Sequence, residues 1–277
     1  MRITSLHNER VKLAIKLRDR KARKSQGRIL IDGAREILRA WKAGLAWSEF
    51  YVCPEFCQTE NAQHLLYNLQ QPGAPIPGDA IFEVSPEVFE KLAYGERNEG
   101  IVAVAYTPET ALQRYPALDL KKNGQPPLVV VLEQVEKPGN VGAVLRSADG
   151  AGASALVAAS PLTDLYNPNA IRASLGTIFH MPLGEAPSLD VKKWLVSHDV
   201  TIYAARTDGA KPFSQCDFRG PVAFVLGNES QGLSPVWTTG DVKSVSLPML
   251  GVADSLNVSI TASVLLYEAR RQRTPSS

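Results

Sequence analysis

Cysteine is scarce in this chain. Cys53, Cys57 and Cys216 are the three present in 277 residues, too few for a disulfide framework or a four-thiolate zinc site. The four histidines, His7, His64, His180 and His198, show neither metal-ligand spacing nor a nucleophile beside them. No metal is expected, and all four read as structural or surface residues. Long apolar runs are missing too. Those near 128–132 and 153–159 have the size of strands and fall well short of the roughly 20 residues that span a bilayer. The opening MRITSLHNERVK places no apolar stretch behind its charges, so a secretory signal is not expected. The expectation is a cytoplasmic protein with no membrane partner. The GxxxxGK(S/T) phosphate loop and the GxGxxG dinucleotide turn are absent as well, which argues against a nucleotide-dependent α/β enzyme of another class. The 44% hydrophobic and 21% charged content excludes a largely disordered chain, and the length suits two domains.

The net charge is only +2, but it is unevenly spread. Residues 1–40 hold 12 Lys/Arg against four acids, a net of +8, and the other 237 residues carry a net of −6. A basic end on a slightly acidic chain points to a polyanionic partner. A helix from about Val11 to Lys24 would align Lys12, Lys16, Arg20 and Arg23 in one stripe, at spacings of four, four and three. Leu13 and Leu17 would then face the protein. Such a stripe positions RNA or DNA through phosphates without reading sequence. The alternative is a solvated helix whose charges only maintain solubility.

Residues 1–106 read as a small α/β module. Strands are expected at Arg28–Asp32, Glu49–Val52, Ile81–Val84 and Gly100–Ala105, and helices at Ala34–Ala43, about Thr59–Leu69 and after Ser85. Residues 107–126, rich in proline, read as a linker. From 127 to 277 the order is strand, helix, strand, beginning with LVVVLEQV, an apolar strand of the kind buried in parallel sheets. KPGN reads as a turn and VGAVLRSADGAGA as a helix. Further strands are expected at Thr201–Ala205, Val222–Leu226 and Lys243–Leu247, and a closing helix at Ser255–Gln272. The fold class is α/β: a mostly parallel sheet with helices on both faces follows the smaller α/β domain, with its ligand expected beyond the strand ends.

Three loops after apolar strands are rich in small and amide residues: EKPGNVGAVLRSADGAG, VLGNESQGLS and LPMLGVADSLNVS. In the second, Gly227 and Gly232 bracket Asn228 and Glu229, and glycine there lets backbone approach a ligand closely. In the third, Asp254 or Ser255 is expected to cap the closing helix. Asn257 would then sit in the first turn, a poor choice for local helix stability and so a candidate functional position.

Taken together, these loops resemble the three motifs of the SpoU (TrmH-like) branch of the SPOUT RNA ribose 2′-O-methyltransferases. The first is PGNVGAVLRSADGAGA, the second FVLGNESQGLS and the third LPMLGVADSLNVSITASVLLYEARRQR. The basic N-terminal module, with ERNEGIVAVAY, resembles the family's substrate-binding domain, which is similar to a small ribosomal RNA-binding protein. The resemblance implies a trefoil knot, S-adenosylmethionine as cofactor and a homodimer with shared active sites. It implies cofactor contacts at Leu226, Gly227, Leu247, Met249 and Leu256, and a catalytic group of Asn140, Arg146, Ser255 and Asn257 with Glu229 beside it. Arg172 and Ser174 resemble a family stretch near the site. The expected partner is RNA rather than DNA, and the expected target a ribose 2′-hydroxyl of large-subunit (23S) ribosomal RNA. A tRNA target and a non-catalytic RNA-binding ribosome-assembly factor are the alternatives. Against the latter, Asn140, Arg146, Ser255 and Asn257 are all present.

Overall fold

In the computed structural model, residues 2–72, 74, 76, 79–95, 98–112, 124–208 and 210–274 are described. The expected linker at 107–126 and the Glu96–Arg97 part of ERNEG therefore lie partly or wholly outside the described residues. The chain divides into two units, Met1–Glu109 with Tyr166–His180, and Thr110–Leu165 with Met181–Ser277.

The first unit begins with β1 (Arg2–Ile3), α1 (Glu9–Lys16) and α2 (Arg20–Gln26). The single helix expected over 11–24 is thus two. Asn8 caps the first by accepting from Arg10 N, and Asp19 caps the second by accepting from Lys21 N and Ala22 N. A cap in mid-sequence satisfies orphan N–H groups only if the chain turns there, and it does, at Leu17–Asp19. Then follow β2 (Arg28–Asp32), α3 (Ala34–Lys42), β3 (Trp47–Val52), α4 (Glu60–Leu69), β4 (Ile81–Val84), α5 (Pro86–Leu92) and β5 (Ile101–Tyr106). The five strands form a mixed sheet in the order β1-β4-β3-β5-β2, with β5 antiparallel to both β2 and β3. Val11, Ala14 and Leu17 pack with Leu30, Tyr51, Phe82, Phe89 and Val104. Leu17 is therefore in the core, as expected, whereas Leu13 is exposed.

The second unit opens with β6 (Leu128–Glu133), α6 (Pro138–Ala151) and β7 (Ala155–Ala159). KPGN is not a separate turn: Pro138 is already the first helical residue, where its missing N–H costs nothing. The next stretch carries α7 (Pro168–Ala173) and groups with the first unit. The second unit resumes with β8 (Leu183–Ala186), α8 (Ser188–Ser197), β9 (Thr201–Ala205), β10 (Lys211–Pro212), β11 (Val222–Leu226), β12 (Val242–Ser246) and α9 (Val258–Arg273). Seven strands form a sheet in the order β10-β12-β9-β11-β6-β7-β8, every pairing parallel.

Alternation along these strands supplies two apolar faces. Val129, Val131, Val157, Ile202 and Val225 meet Val191 and Leu195 of α8 on one. Tyr203 and Phe224 point the other way and pack on Phe218, whose N–H donates to Gln272 of α9. α6 and α9 lie against each other so closely that a Cβ on Gly150 would come within 2.9 Å of the Tyr267 hydroxyl. Helices therefore cover both faces. The registers Leu226↔Leu132 and Ala204↔Val225 bring the carboxyl ends of β9, β11 and β6 to one edge.

Candidate active site

That edge carries a cavity of about 410 Å3. Its lining comes from the loops after β9, β11 and β12 and from the start of α9. The β11 loop gives Leu226, Gly227, Asn228 and Glu229, and the β12 loop gives Leu247, Met249, Ser255 and Leu256. All five residues expected to contact a cofactor line this one space, together with Ser255 and Glu229.

The loop after β11 is held from below. Asn228 is buried; its Nδ2 donates to Gln134 O at 2.9 Å and to Glu136 Oε1 at 3.1 Å, and its Oδ1 accepts from Ser230 N and Gln231 N. Fully buried Glu133, at the end of β6, accepts from Ser234 N at 2.8 Å and from Ser234 Oγ at 2.7 Å. Gly227 is required for a reason other than ligand clearance. A Cβ there would lie 2.5 Å from the backbone of Gly232, which doubles back on it. The ties of Asn228 to Gln134 and Glu136, and of Glu133 to Ser234, were not legible beforehand, because those partners stand about a hundred residues apart.

Three polar residues from three loops meet beside the cavity. Asn140, in the first turn of α6, donates to Glu229, and Asn257 donates through Nδ2 to Asn140 Oδ1 at 3.4 Å. Asn257 is itself the cap of α9: its Oδ1 accepts from Ser259 N at 2.9 Å. The expected cap at Asp254 or Ser255 is corrected accordingly, since the helix starts at Val258 rather than at Ser255. Asn257 is therefore not a local compromise; it does a structural and a polar task at once. Arg146 lies on the exposed side of α6 and makes no hydrogen bond or ion pair among the described residues, Asp149 included.

Other expected residues have partners within the first unit. Arg172 donates to Tyr94 O at 2.8 Å, and fully buried Ser174 bonds Ile171 O at 2.7 Å. Both are used within the first unit as scaffold. In the basic stripe, Arg23 is 4% exposed and its Nη1 donates to Leu17 O and Arg18 O, closing the end of α1. It is not available to a phosphate, and the turn at Leu17–Asp19 takes it off the face of Lys12 and Lys16. Lys12 pairs with Glu9 at 2.8 Å, while Lys16 and Arg20 are exposed. Burial pushes the Cys53 thiol up to about 12 and the Cys57 thiol up to about 11, so both stay protonated near neutral pH.

A parallel sheet with an apolar cavity at the carboxyl ends of adjacent strands, and convergent amides at its rim, defines an α/β group-transfer enzyme. Comparison with known proteins makes this specific. Residues 127–267 match the model of the SpoU rRNA Methylase family, and residues 8–103 that of the MRM3-like substrate binding domain. The chain belongs to the SpoU rRNA methylase family, as its three loop motifs led one to expect. It is 35% identical over 199 residues to the 23S rRNA (uridine(2479)-2′-O)-methyltransferase of Streptomyces viridochromogenes, covering 69% of this chain and 67% of that one. It superposes on the crystal structure of an RNA 2′-O ribose methyltransferase with a TM-score of 0.82, at 38% identity and 99% coverage of both chains. The SpoU methyltransferase AviRb of Streptomyces viridochromogenes, solved with AdoMet, gives a TM-score of 0.81 at 29% identity, covering 96% of this chain and 98% of that one.

The cavity suits such a cofactor. Its volume lies in the range of nucleoside-sized ligand sites. Leu226, Val245, Leu247, Met249 and Leu256 offer an apolar wall for a purine, and Arg206, Asp208, Glu229 and Ser255 offer polar groups.

Proposed function

We propose that this protein methylates a ribose 2′-hydroxyl of large-subunit ribosomal RNA, using S-adenosylmethionine held in the cavity by Leu226, Gly227, Leu247, Met249 and Leu256. The observation that carries this reading is the hydrogen-bonded chain Asn257–Asn140–Glu229 at the rim of that cavity. The cofactor supplies a sulfonium-activated methyl group. A ribose hydroxyl is a weak nucleophile, so the protein must align it and stabilise the negative charge that grows on its oxygen. Asn140, Ser255 and Asn257 orient the hydroxyl. The N-terminus of α6 directs its positive end toward Asn140. Arg146, with no partner of its own, anchors an RNA phosphate and adds positive charge beside the oxygen. A guanidinium keeps its proton at neutral pH, so the hydroxyl proton leaves to RNA phosphate or water.

The first unit, matching a substrate-binding domain, presents the RNA through Lys12, Lys16 and Arg20. The ribosomal target follows the named relatives. A cytoplasmic location fits that substrate, and no helix among the described residues is long and apolar enough to cross a membrane.

A homodimer is part of the reading. On α9 Ile260 and Tyr267 are about half exposed, and Leu250 and Val252 in the preceding loop are fully so. Apolar side chains left in water along one helix and its loop favour a second copy. The trefoil knot is supported by chain order. β12 is separated from β11 by β9, yet α9 packs on β11 and α6.

The test is methyl transfer from labelled cofactor to 23S rRNA and to tRNA, with ribose methylation mapped in a deletion strain. Transfer to a defined 23S nucleotide that loses its methyl group in the deletion supports the proposal. Transfer to tRNA alone overturns the target, and no transfer to either RNA overturns the catalytic reading.

A further inference from the structure

One charged group in the cavity has no part in aligning the ribose hydroxyl. Beyond the end of β9, Arg206 Nε and Nη2 donate to the two carboxylate oxygens of Asp208 at 2.8 and 2.6 Å. Both residues line the cavity, with Thr207 between them. The sheet order explains their presence, because β9 lies between β12 and β11 and its loop shares the cavity with theirs.

An exposed ion pair two residues apart adds little to stability, at most about 1 kcal/mol. As a recognition element it is well formed. The fork is fixed in plane, Arg206 Nη1 has no hydrogen bond among the described residues, and the carboxylate keeps unused lone pairs. The same contact holds the Asp208 carboxyl below its usual range and raises the Arg206 guanidinium, so both charges persist at neutral pH.

The cofactor has three chemically distinct parts: a purine nucleoside, a sulfonium methyl and an amino acid bearing both an ammonium and a carboxylate. The leucine and methionine wall fits the purine. Glu229, bonded to Asn140, marks the side on which the methyl is transferred. Arg206 and Asp208 form the one ion pair lining the cavity among the described residues, and Asp208 is 67% exposed. The amino acid is the one zwitterionic part of the cofactor and the part that tolerates solvent.

We propose that Arg206 and Asp208 read the amino-acid end of the cofactor, with Asp208 accepting from its ammonium and Arg206 donating to its carboxylate. This rests on the cofactor assigned above. Thr207 and the backbone of this loop then sit beside the ligand, so the pair selects an intact amino-acid tail over a nucleoside thioether that lacks one.

Calorimetry on the full chain tests this with two probes that share the nucleoside, S-adenosylhomocysteine and 5′-methylthioadenosine. The unaltered protein is expected to favour S-adenosylhomocysteine by tenfold or more. In Arg206→Gln and Asp208→Asn, each checked for an unchanged melting temperature, that preference should fall several-fold while methylthioadenosine affinity holds. Decarboxylated S-adenosylmethionine divides the roles. Arg206→Gln should leave its binding unchanged, whereas Asp208→Asn should weaken it. An equal loss for both thioethers, or an unchanged preference, overturns the proposal. If the unaltered protein binds both thioethers equally, this proposal falls while the cofactor site stands. If it binds neither, the cofactor assignment falls with it.

Discussion

Asn257 donates through Nδ2 to Oδ1 of Asn140 at 3.4 Å, joining the cap of α9 to the first turn of α6 across 117 positions of sequence. Each amide has its orientation fixed by its other bond. Asn257 Oδ1 accepts from Ser259 N and Ser259 Oγ, and Asn140 Nδ2 donates to Glu229. Neither can flip without giving up both of its contacts. The rim of the cavity is thus set by a helix cap, which couples the start of the closing helix to the chemistry beside it.

This coupling separates two roles of Asn257 by one substitution. In Asn257→Asp the carboxylate still caps α9, so the melting temperature should stay near that of the unaltered protein. The donor to Asn140 is replaced by an acceptor, and methyl transfer should fall by about 10²-fold, the usual loss for one aligned polar contact in the transition state. Asn257→Ala should lose activity and also about 1 kcal/mol of stability. Equal activity in Asn257→Asp and the parent, measured with labelled cofactor, would leave Asn257 as a cap alone.

Gly227→Ala should weaken both the fold and the cofactor site. The new Cβ would lie 2.5 Å from Gly232 C and O and 2.8 Å from Leu233 N, all of them backbone that no side-chain rotation can move. The β11 loop must open to admit it, at a cost of about 1–3 kcal/mol. Differential scanning should show a lower melting temperature, and calorimetry weaker binding of S-adenosylhomocysteine. An unchanged melting temperature with lost binding would mean that the clash is with the ligand only.

Much of this was legible in sequence where the signal was local. β2, β4, β9 and β11 begin and end where their apolar runs do, and the cavity takes its lining from two of the loops that glycine and amide residues singled out. What escaped was set by distant partners. The basic end read as one phosphate-binding stripe, yet several of its arginines are internal ties. Arg10 pairs with Glu49 at 3.0 Å, Arg18 donates to Lys91 O and Ala93 O, and Arg39 donates to Leu175 O. Separations of 39 to 136 residues leave no periodicity to read. The stretch holding α7, β8 and α8 escaped for another reason. Its helices are short or of weak amphipathic pattern, and half of it is scaffold for the first unit.

Arg146→Ala should lose most methyl transfer, by about 10²–10³-fold, and leave cofactor binding and stability intact. Arg146→Lys should recover a part only, because lysine keeps the charge without the planar fork. Single-turnover transfer and calorimetry on the same preparations give both readouts. Near-normal turnover in Arg146→Ala would shift the burden to Asn140 and Asn257.

Stability of the first unit should fall as pH rises toward neutrality. Burial raises the Asp32 carboxyl from 3.8 to about 7, offset in part by the N–H of Tyr94 and by Arg172, and reinforced by Glu36 and Glu99. Between about pH 4 and 7 the folded state then holds a proton that the unfolded chain has released, so this contribution is complete below pH 4 and gone above the folded value. Asp32→Asn should flatten the change in melting temperature between pH 5 and 8. A profile as steep as that of the parent would assign the dependence to another group.

The basic end makes a last distinction, between charge that binds and charge that folds. Lys16, Lys21 and Lys24 are exposed, and their side chains have no hydrogen bond or salt bridge among the described residues. Arg23 lies between them in sequence but is buried on Leu17 O and Arg18 O. Replacing the three lysines by alanine should leave the melting temperature unchanged and lower the slope of log K against log salt for RNA by about 0.7–0.9 per lost phosphate contact. Arg23→Ala should do the reverse. It strands two carbonyls at the end of α1, at a cost of about 1–3 kcal/mol, and removes no exposed charge, so the slope of the folded fraction should hold. Filter binding across a salt series and a thermal melt on each variant decide the matter. If Arg23→Ala reduces the slope at constant stability, the buried guanidinium must leave its carbonyls to meet RNA, and the division drawn here between scaffold and phosphate contact is wrong. If the triple lysine variant keeps the parental slope, those charges are solvated only, and RNA must be held by another face of the protein.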